Sequence, residues 1–396
     1  MLHRGGHKPH LIVCTGYPEK DDVHYREATL HKICPQGHLD KQYTDFNLSE
    51  KHVELKDKTV ESIKNFIDEY EIDIILTHDL IFLQSHTPYG LAIQEISKQR
   101  PAVKWLHWVH SVPTGMCGIW DINRYGPAHR VVFPNRTDSL KVAEQFRGWH
   151  EQVVSIHHVK DIREFAQFDN VTNRFIDKYR LMEADVIQIY PCSIDRIEAK
   201  GIRYVMRVFA SLKNVLRKSV RLVICNQWCN DPRHRKTVEK LLELGQKLGL
   251  TPDVDFIFTS RFEPPEYEVG IPEKMVAQLM QLGNLFMFAT NHESFGLILP
   301  EASLMGGCLV VLNGNVDMMR EISGNIGLFW PLASNTVDWN CDDEKEHFTE
   351  VAKVISHKMD QDIGVRAKTY YRKHYNLDYI WRTQLEPAML SLLEEE

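Results

Sequence analysis

Long apolar runs are missing from this chain of 396 residues. No window is apolar over the roughly 20 residues that cross a bilayer. The basic start, Met1-Leu-His-Arg, is followed only by Leu11 to Cys14, too short a run for a secretory core. A cytoplasmic protein without stable membrane insertion is expected. Low-complexity tracts and internal repeats are also missing, which excludes linker-rich and solenoid architectures. Cysteine is sparse and unpatterned. Among eight residues, the nearest pair, Cys225 and Cys229, has no second pair at zinc-ribbon spacing. Cys14, Cys192, Cys225 and Cys308 sit in or beside apolar runs, where a reduced thiol behaves as a small hydrophobe. Nor does charge of one sign dominate. Lys and Arg number 47 against 54 Asp and Glu, and a net charge of −7 gives no general pull toward nucleic acid or anionic membrane.

What is present is ordinary globular composition, 43% hydrophobic and 26% charged, with enough length for two cores. Short apolar runs alternate with helical patterns. Strands are expected at 10–15, 72–77, 103–109, 130–133 and 152–156, with helices at 58–70, 89–99 and 137–146 between them. The polar segment 165–184 has no strand pattern and reads as a connection. The alternation then restarts. Strands are expected at 185–190, 220–225, 256–259, 285–289 and 308–312, with helices at 202–215, 237–248 and from Pro300. The last fifty residues read as helical. Such alternation predicts parallel sheets covered on both faces, twice over. Ligands of open parallel sheets sit beyond the carboxyl ends of strands, so functional residues should directly follow strands.

The most informative stretch is Ala289-Thr-Asn-His-Glu293-Ser-Phe-Gly-Leu-Ile-Leu-Pro-Glu301-Ala-Ser-Leu-Met-Gly-Gly307. It begins where a strand ends. Gly296 permits tight backbone geometry. Pro300 suits a first helical turn, and the amides of Gly296, Leu297 and Ile298 would then open that helix as an anion site. Glu293 and Glu301 could each accept hydrogen bonds from sugar hydroxyls. Complementation of a helix dipole and a solvated face are the bland alternatives for the two glutamates.

Glu-Ser-Phe-Gly-Leu-x-x-x-Glu-Ala, with seven residues between its glutamates, resembles the signature of the family-4 retaining glycosyltransferases of GT-B fold. The resemblance implies an α/β protein with two Rossmann-like, doubly wound parallel-sheet domains facing a cleft. It implies that Glu293 contacts the transferred sugar, that Glu301 binds the donor ribose, and that the main chain at Phe295, Gly296 and Leu297 holds the diphosphate. Tyr190-Pro-Cys-Ser-Ile-Asp-Arg196-Ile-Glu-Ala-Lys200-Gly201 resembles the family's strand and Gly-Arg-Leu-x-x-x-Lys-Gly segment. There Arg and Lys neutralise the leaving diphosphate. Lys200 matches in place. Arg196 stands one residue closer to the lysine than the usual arginine, whose place Asp195 takes, and a surface ion pair is its other reading. Trp105-Leu-His-Trp-Val-His110 resembles the family's strand-end histidine, with His110 the first choice and His107 the second. Gly16 resembles the glycine region after the first strand, although Tyr17 and Pro18 follow it. Arg261, placed just after a strand, could serve the donor base or phosphate, or be a plain loop arginine. A capping role suits Thr137 or Asp138. Trp105, Trp108 and Trp120 could form a stacking platform, or core.

The expected domains are 1–170, holding the acceptor, 171–375, holding the nucleotide sugar, and a helix at 376–396 returning to the first. The implied reaction is retaining hexosyl transfer from a nucleotide diphosphate sugar, UDP or GDP, to an acceptor hydroxyl. The acceptor is open among a saccharide, a lipid-linked sugar, a protein and a modified nucleobase. No Asp-x-Asp metal triad of the other glycosyltransferase fold is evident, so neither metal nor cofactor is expected. The alternatives are a sugar-nucleotide epimerase or phosphorylase, or a non-catalytic nucleotide-sugar-binding protein.

Overall fold

The short apolar runs form parallel strands and the amphipathic stretches between them form the covering helices. The computed structural model describes residues 1–2, 5–12, 29–31, 48–83, 86–110, 121–159, 161–262, 269–290, 293, 296–324, 327–330 and 345–394. The chain divides into two units, Met1–Val159 with Leu377–Glu396, and Lys160–Asn376.

In the first unit, β1 (His10–Ile12) pairs in parallel with β2 (Thr29–His31). Four further strands, β3 (Ile74–His78), β4 (Lys104–Trp108), β5 (His129–Phe133) and β6 (Val153–Ser155), form one parallel sheet in chain order. Successive side chains of β4 point to opposite faces. Trp105 joins Ile93, Ile96, Val131 and Phe146 in a core built with α1 (Glu50–Tyr70), α2 (Thr87–Gln99) and α3 (Ser139–Gln145). Leu106 and Trp108 join Val132 on the other face, which the C-terminal segment covers. That segment runs through Leu377–Ile380, a π-turn at Trp381–Leu385 and Glu386–Glu394, and it buries Ile380, Trp381, Leu385, Met389 and Leu392.

The second unit opens with α4 (Ile162–Phe165) and α5 (Asn170–Lys178). Asp161 and Asp169 cap them, accepting from the amides of Arg163 and Thr172. The strands β7 (Val186–Pro191), β8 (Val220–Cys225) and β9 (Phe256–Phe258) form one parallel sheet, and β10 (Leu285–Phe288), β11 (Leu309–Asn313) and β12 (Leu328–Trp330) a second. The two meet along β7 and β10. The Asn284 amide donates to the Ile187 carbonyl at 3.0 Å, the Asn284 side-chain oxygen accepts from the Ile187 amide at 2.8 Å, and the Gln188 amide group donates to the Met287 carbonyl at 2.7 Å. The resulting order, β9-β8-β7-β10-β11-β12, reverses its direction of growth between β7 and β10, as in a Rossmann-like sheet.

Both faces are buried. Along β8, Leu222 and Ile224 belong to one core and Val223 and Cys225 to the other. The covering helices are α6 (Ile202–Asn214), α7 (Pro232–Lys247), α8 (Glu273–Met280), α9 (Ile298–Leu304), α10 (Asp317–Ser323), α11 (Lys345–Gln361) and α12 (Ile363–His374). The last is fixed by two cations, buried Arg372 and half-buried Lys368. Arg372 donates to the carbonyls of Leu181, Met182 and Ala184 at 2.7–3.1 Å, and Lys368 to those of Gly283 and Gly306 at 2.7 and 2.9 Å. Among the described residues, no helix is long and apolar enough to cross a membrane.

Candidate functional site

The reversal of strand order in the second unit marks where its loops diverge, beyond the carboxyl ends of β7 and β10. After β7 the chain passes Cys192 and Ser193, makes a 3-10 turn at Ile194–Arg196, and enters α6. Buried Ile194 and Ile197 pin this loop. The Ile194 amide donates to Gln227 Oε1 at 3.0 Å and the Tyr190 hydroxyl to the Lys200 carbonyl at 2.5 Å. Gly201 follows with φ of 71°, and a Cβ there would lie 2.2 Å from the carbonyl oxygen of Ala289, just past β10. Only glycine permits so close an approach. The Thr290 hydroxyl donates to the Ala199 carbonyl at 3.3 Å, and the Asn313 side chain at the end of β11 donates to the Thr290 carbonyl at 2.9 Å.

This lacing brings Lys200 and Glu293, 93 residues apart in sequence, together as an ion pair. Their side chains are 19% and 14% exposed, so the pair is mostly screened from water yet reachable. The Lys200 ammonium also stands 5.4 Å from the centroid of the Phe288 ring. Gly296, with φ of 77°, abuts the same two groups. A Cβ there would come within 3.2 Å of the Phe288 ring and 3.3 Å of the Glu293 side chain. A cation and a carboxylate held this way can neutralise a phosphate and accept from hydroxyl groups.

Leu297 is exposed and precedes α9, and Glu301 is exposed on the first turn of that seven-residue helix. The Leu299 amide is bonded to the Gly296 carbonyl at 2.9 Å and the Glu301 amide to that of Leu297 at 3.2 Å. Arg196 is exposed. It shares an electrostatic neighbourhood with Lys200: burial pushes the Cys192 thiol up to about 12, and both cations oppose that rise. Asp195 is held by His234 Nε2 at 2.8 Å. The Arg261 guanidinium is engaged by the Asp253 carboxylate at 2.7 and 3.2 Å. Gly16 and Phe295 lie outside the described residues, as do Tyr17, Pro18 and Trp120.

A polar cluster not expected from the sequence lies at the ends of β8 and β9. There the Asn226 amide donates to Thr259 Oγ1 at 3.0 Å and the Asn226 side chain to Ser260 Oγ at 2.9 Å. Polar residues directly after two apolar strands were the available signal. The chain also holds two Asp-x-Asp spacings whose carboxylates serve structural contacts. In Asp253-Val-Asp255 the carboxylates bind Arg261 and Lys213. In Asp360-Gln-Asp362 they face Lys218 and cap α12. Among the described residues no group of three or more His, Cys, Asp or Glu could hold a metal ion.

In the first unit His110 follows β4. Its Nε2 lies 3.0 Å from His78 Nδ1 and its Nδ1 lies 3.3 Å from His158 Nε2. The rings stack at centroid distances of 5.2 and 4.9 Å, and the His110 amide donates to Asp79 at 2.9 Å. Three imidazoles thus line the carboxyl ends of β3, β4 and β6. Burial, reinforced by His110, lowers the pKa of His78 and of His158. Neither partner stands out in the sequence, although His78 ends β3 and His158 comes three residues after β6. His107 is core instead. It is fully buried, 2.9 Å from Thr77 Oγ1 and 2.8 Å from His129 Nδ1, and burial pushes it down to about 3. Trp105 and Trp108 are buried too, so neither offers an exposed platform. Asp138 occupies the cap position of α3, but its side chain accepts from Asn135 at 3.2 Å and makes no cap bond.

No family model matches the chain, and no curated protein matches its sequence. Solved structures with some likeness include a glycosyltransferase from Rickettsia africae, at 15% identity, covering 100% of this chain and 92% of that one, with a TM-score of 0.36. WaaG, a glycosyltransferase involved in lipopolysaccharide biosynthesis, gives 14% identity, 100% and 93% coverage and a TM-score of 0.33. HepE from Anabaena, solved with UDP, gives 14% identity, 85% and 82% coverage and a TM-score of 0.35.

Proposed function

We propose that the chain is a retaining, metal-independent glycosyltransferase of GT-B fold that moves a hexose from a nucleotide diphosphate sugar, UDP- or GDP-linked, to an acceptor hydroxyl. The observation that carries this reading is the Lys200–Glu293 pair at the strand-order reversal, seated between Gly201 and Gly296. Breaking the bond from the sugar C1 to the phosphate oxygen puts charge on the diphosphate. A fixed ammonium stabilises that charge as it develops, without proton transfer. Lys200 supplies it, with Arg196 adding a second, more exposed cation. Glu293 accepts from hydroxyls of the transferred sugar, and Glu301 from the ribose of the nucleotide. The acceptor hydroxyl attacks C1 from the face the diphosphate leaves, and its proton goes to the departing phosphate oxygen. Acceptor contacts are assigned to the first unit, around His110.

The test is a thermal-shift screen of nucleotide sugars followed by assay of nucleotide release with the best binder. A true donor raises Tm by mass action, by the equivalent of about 2.7 kcal/mol at one hundred times Kd. Lys200→Ala should keep nucleotide binding and lose about 10²- to 10³-fold in kcat. Glu301→Ala should weaken nucleotide binding about tenfold, the loss expected of a charged hydrogen bond. Activity should survive EDTA. Unchanged donor kinetics in both variants would remove the assignment.

A further inference from the structure

Among the described residues, the second unit also has a hollow away from the Lys200–Glu293 edge. A cavity of about 570 Å³ opens at the opposite, amino-terminal edge of the sheet, between the start of β7 and the helices α11 and α12. Its volume falls in the range of small-molecule pockets, about 300–1,000 Å³. Its inner wall is apolar, made by Val186, Leu212, Met359 and Val365. All four belong to the main core of the unit. Ile363 and Tyr370 form the rim, 80% and 52% exposed. Apolar side chains this exposed beside an apolar hollow mark a surface suited to a ligand.

The charges at the mouth are unequal. Lys218, Arg366 and Lys373 face Asp185 and Asp360. Lys373 pairs tightly with Asp185, which also accepts from the Ser219 amide at 2.8 Å. Lys218 reaches Asp360 only at 3.6 Å. Arg366 is exposed and has no ion-pair partner among the described residues. One guanidinium is therefore available to an incoming anion. The α12 wall is preformed, because Lys368 and Arg372 fasten that helix from beneath through five carbonyl contacts. Preformed walls lower the ordering cost of binding.

We propose that this cavity is a binding site for a small amphipathic anion, one with a flat or chain-like apolar body inside the hollow and a single carboxylate, sulfonate or phosphate on Arg366. The proposal stands independently of glycosyl transfer, since no residue of the cavity belongs to the Lys200–Glu293 site.

The probe is 1-anilinonaphthalene-8-sulfonate, titrated by fluorescence into the folded full chain. One saturable site is expected, its signal unaffected by a nucleotide diphosphate. Arg366→Glu should weaken binding at least fivefold by reversing the charge at the mouth. Ala367→Trp, at an exposed position lining the hollow, should weaken it at least tenfold by filling the space. Both changes are on the helix surface, and an unchanged circular dichroism melt would show that the fold persists. Laurate and 1-naphthoate serve as competitors. Displacement by laurate alone identifies an acyl-chain ligand, and displacement by 1-naphthoate an aromatic one. Uncharged naphthalene displacing the probe as well as naphthoate would overturn the anionic part of the proposal. Probe binding that does not saturate, or that is the same in wild type and both variants, would overturn the site.

Discussion

Single residues decide how close two loops can come. Gly201 sits with positive φ and its α-carbon faces the Ala289 carbonyl, so any side chain must displace backbone. The left-handed conformation costs a non-glycine residue about 1–2 kcal/mol, and forced overpacking adds about 1–3. Gly201→Ala should therefore lower the stability of the second unit by about 2–5 kcal/mol, read by urea unfolding. It should also disturb the Lys200–Glu293 pair. In the first unit the deciding residues are buried histidines. Burial holds His107 down to about 3 and His129 to about 2, against about 6.5 when unfolded. The unfolded chain takes up these protons as pH falls below about 6.5 while the folded unit refuses them. Stability is complete above that pH and falls toward the folded values. From pH 7 to pH 5 these two groups alone should remove about 4 kcal/mol. His129→Phe, which keeps a ring against Trp105, should halve that loss in urea titrations at the two pH values.

At the scale of elements, strands buried on both faces were legible because they are continuous apolar runs. Val220–Cys225 and Leu285–Phe288 are such cases. Elements lacking such a signal were missed or shortened. Helix α1 begins at Glu50, not Lys58, because its first two turns are charged and carry little apolar periodicity. β2 and β12 are three residues each, too short to show alternation. Segment 165–184 holds α5, whose capping Asp169 was a readable start signal inside an otherwise polar stretch. The candidate site is legible where its residues are local, as in the glutamate segment. The histidine cluster is not, since its members lie 32 and 48 residues apart and meet only through strand register. Asn284 shows how elements are stitched. Its side chain accepts from the Ile187 amide and donates to the Asp185 carbonyl and the Thr369 hydroxyl. Asn284→Ala orphans a buried amide and should destabilise the second unit by about 2–4 kcal/mol, measured by urea unfolding.

Across the whole molecule, the two cores depend differently on the chain's end. Ile380, Trp381, Leu385, Met389 and Leu392 complete one face of the first unit's sheet. At about 1.5–3 kcal/mol for each buried apolar side chain, their loss is comparable to the whole stability of an ordinary domain. A chain ending at Asn376 should keep a cooperative transition for the second unit and lose protection of β4 and β5 amides in hydrogen exchange. The second unit is one continuous stretch, Lys160–Asn376, interrupting the first. During synthesis the order of maturation is therefore inverted relative to the order of translation. The later-made unit has all its sequence first, and the earlier-made one must wait, with the Leu106–Trp108 face uncovered, until residues 377–394 have been made.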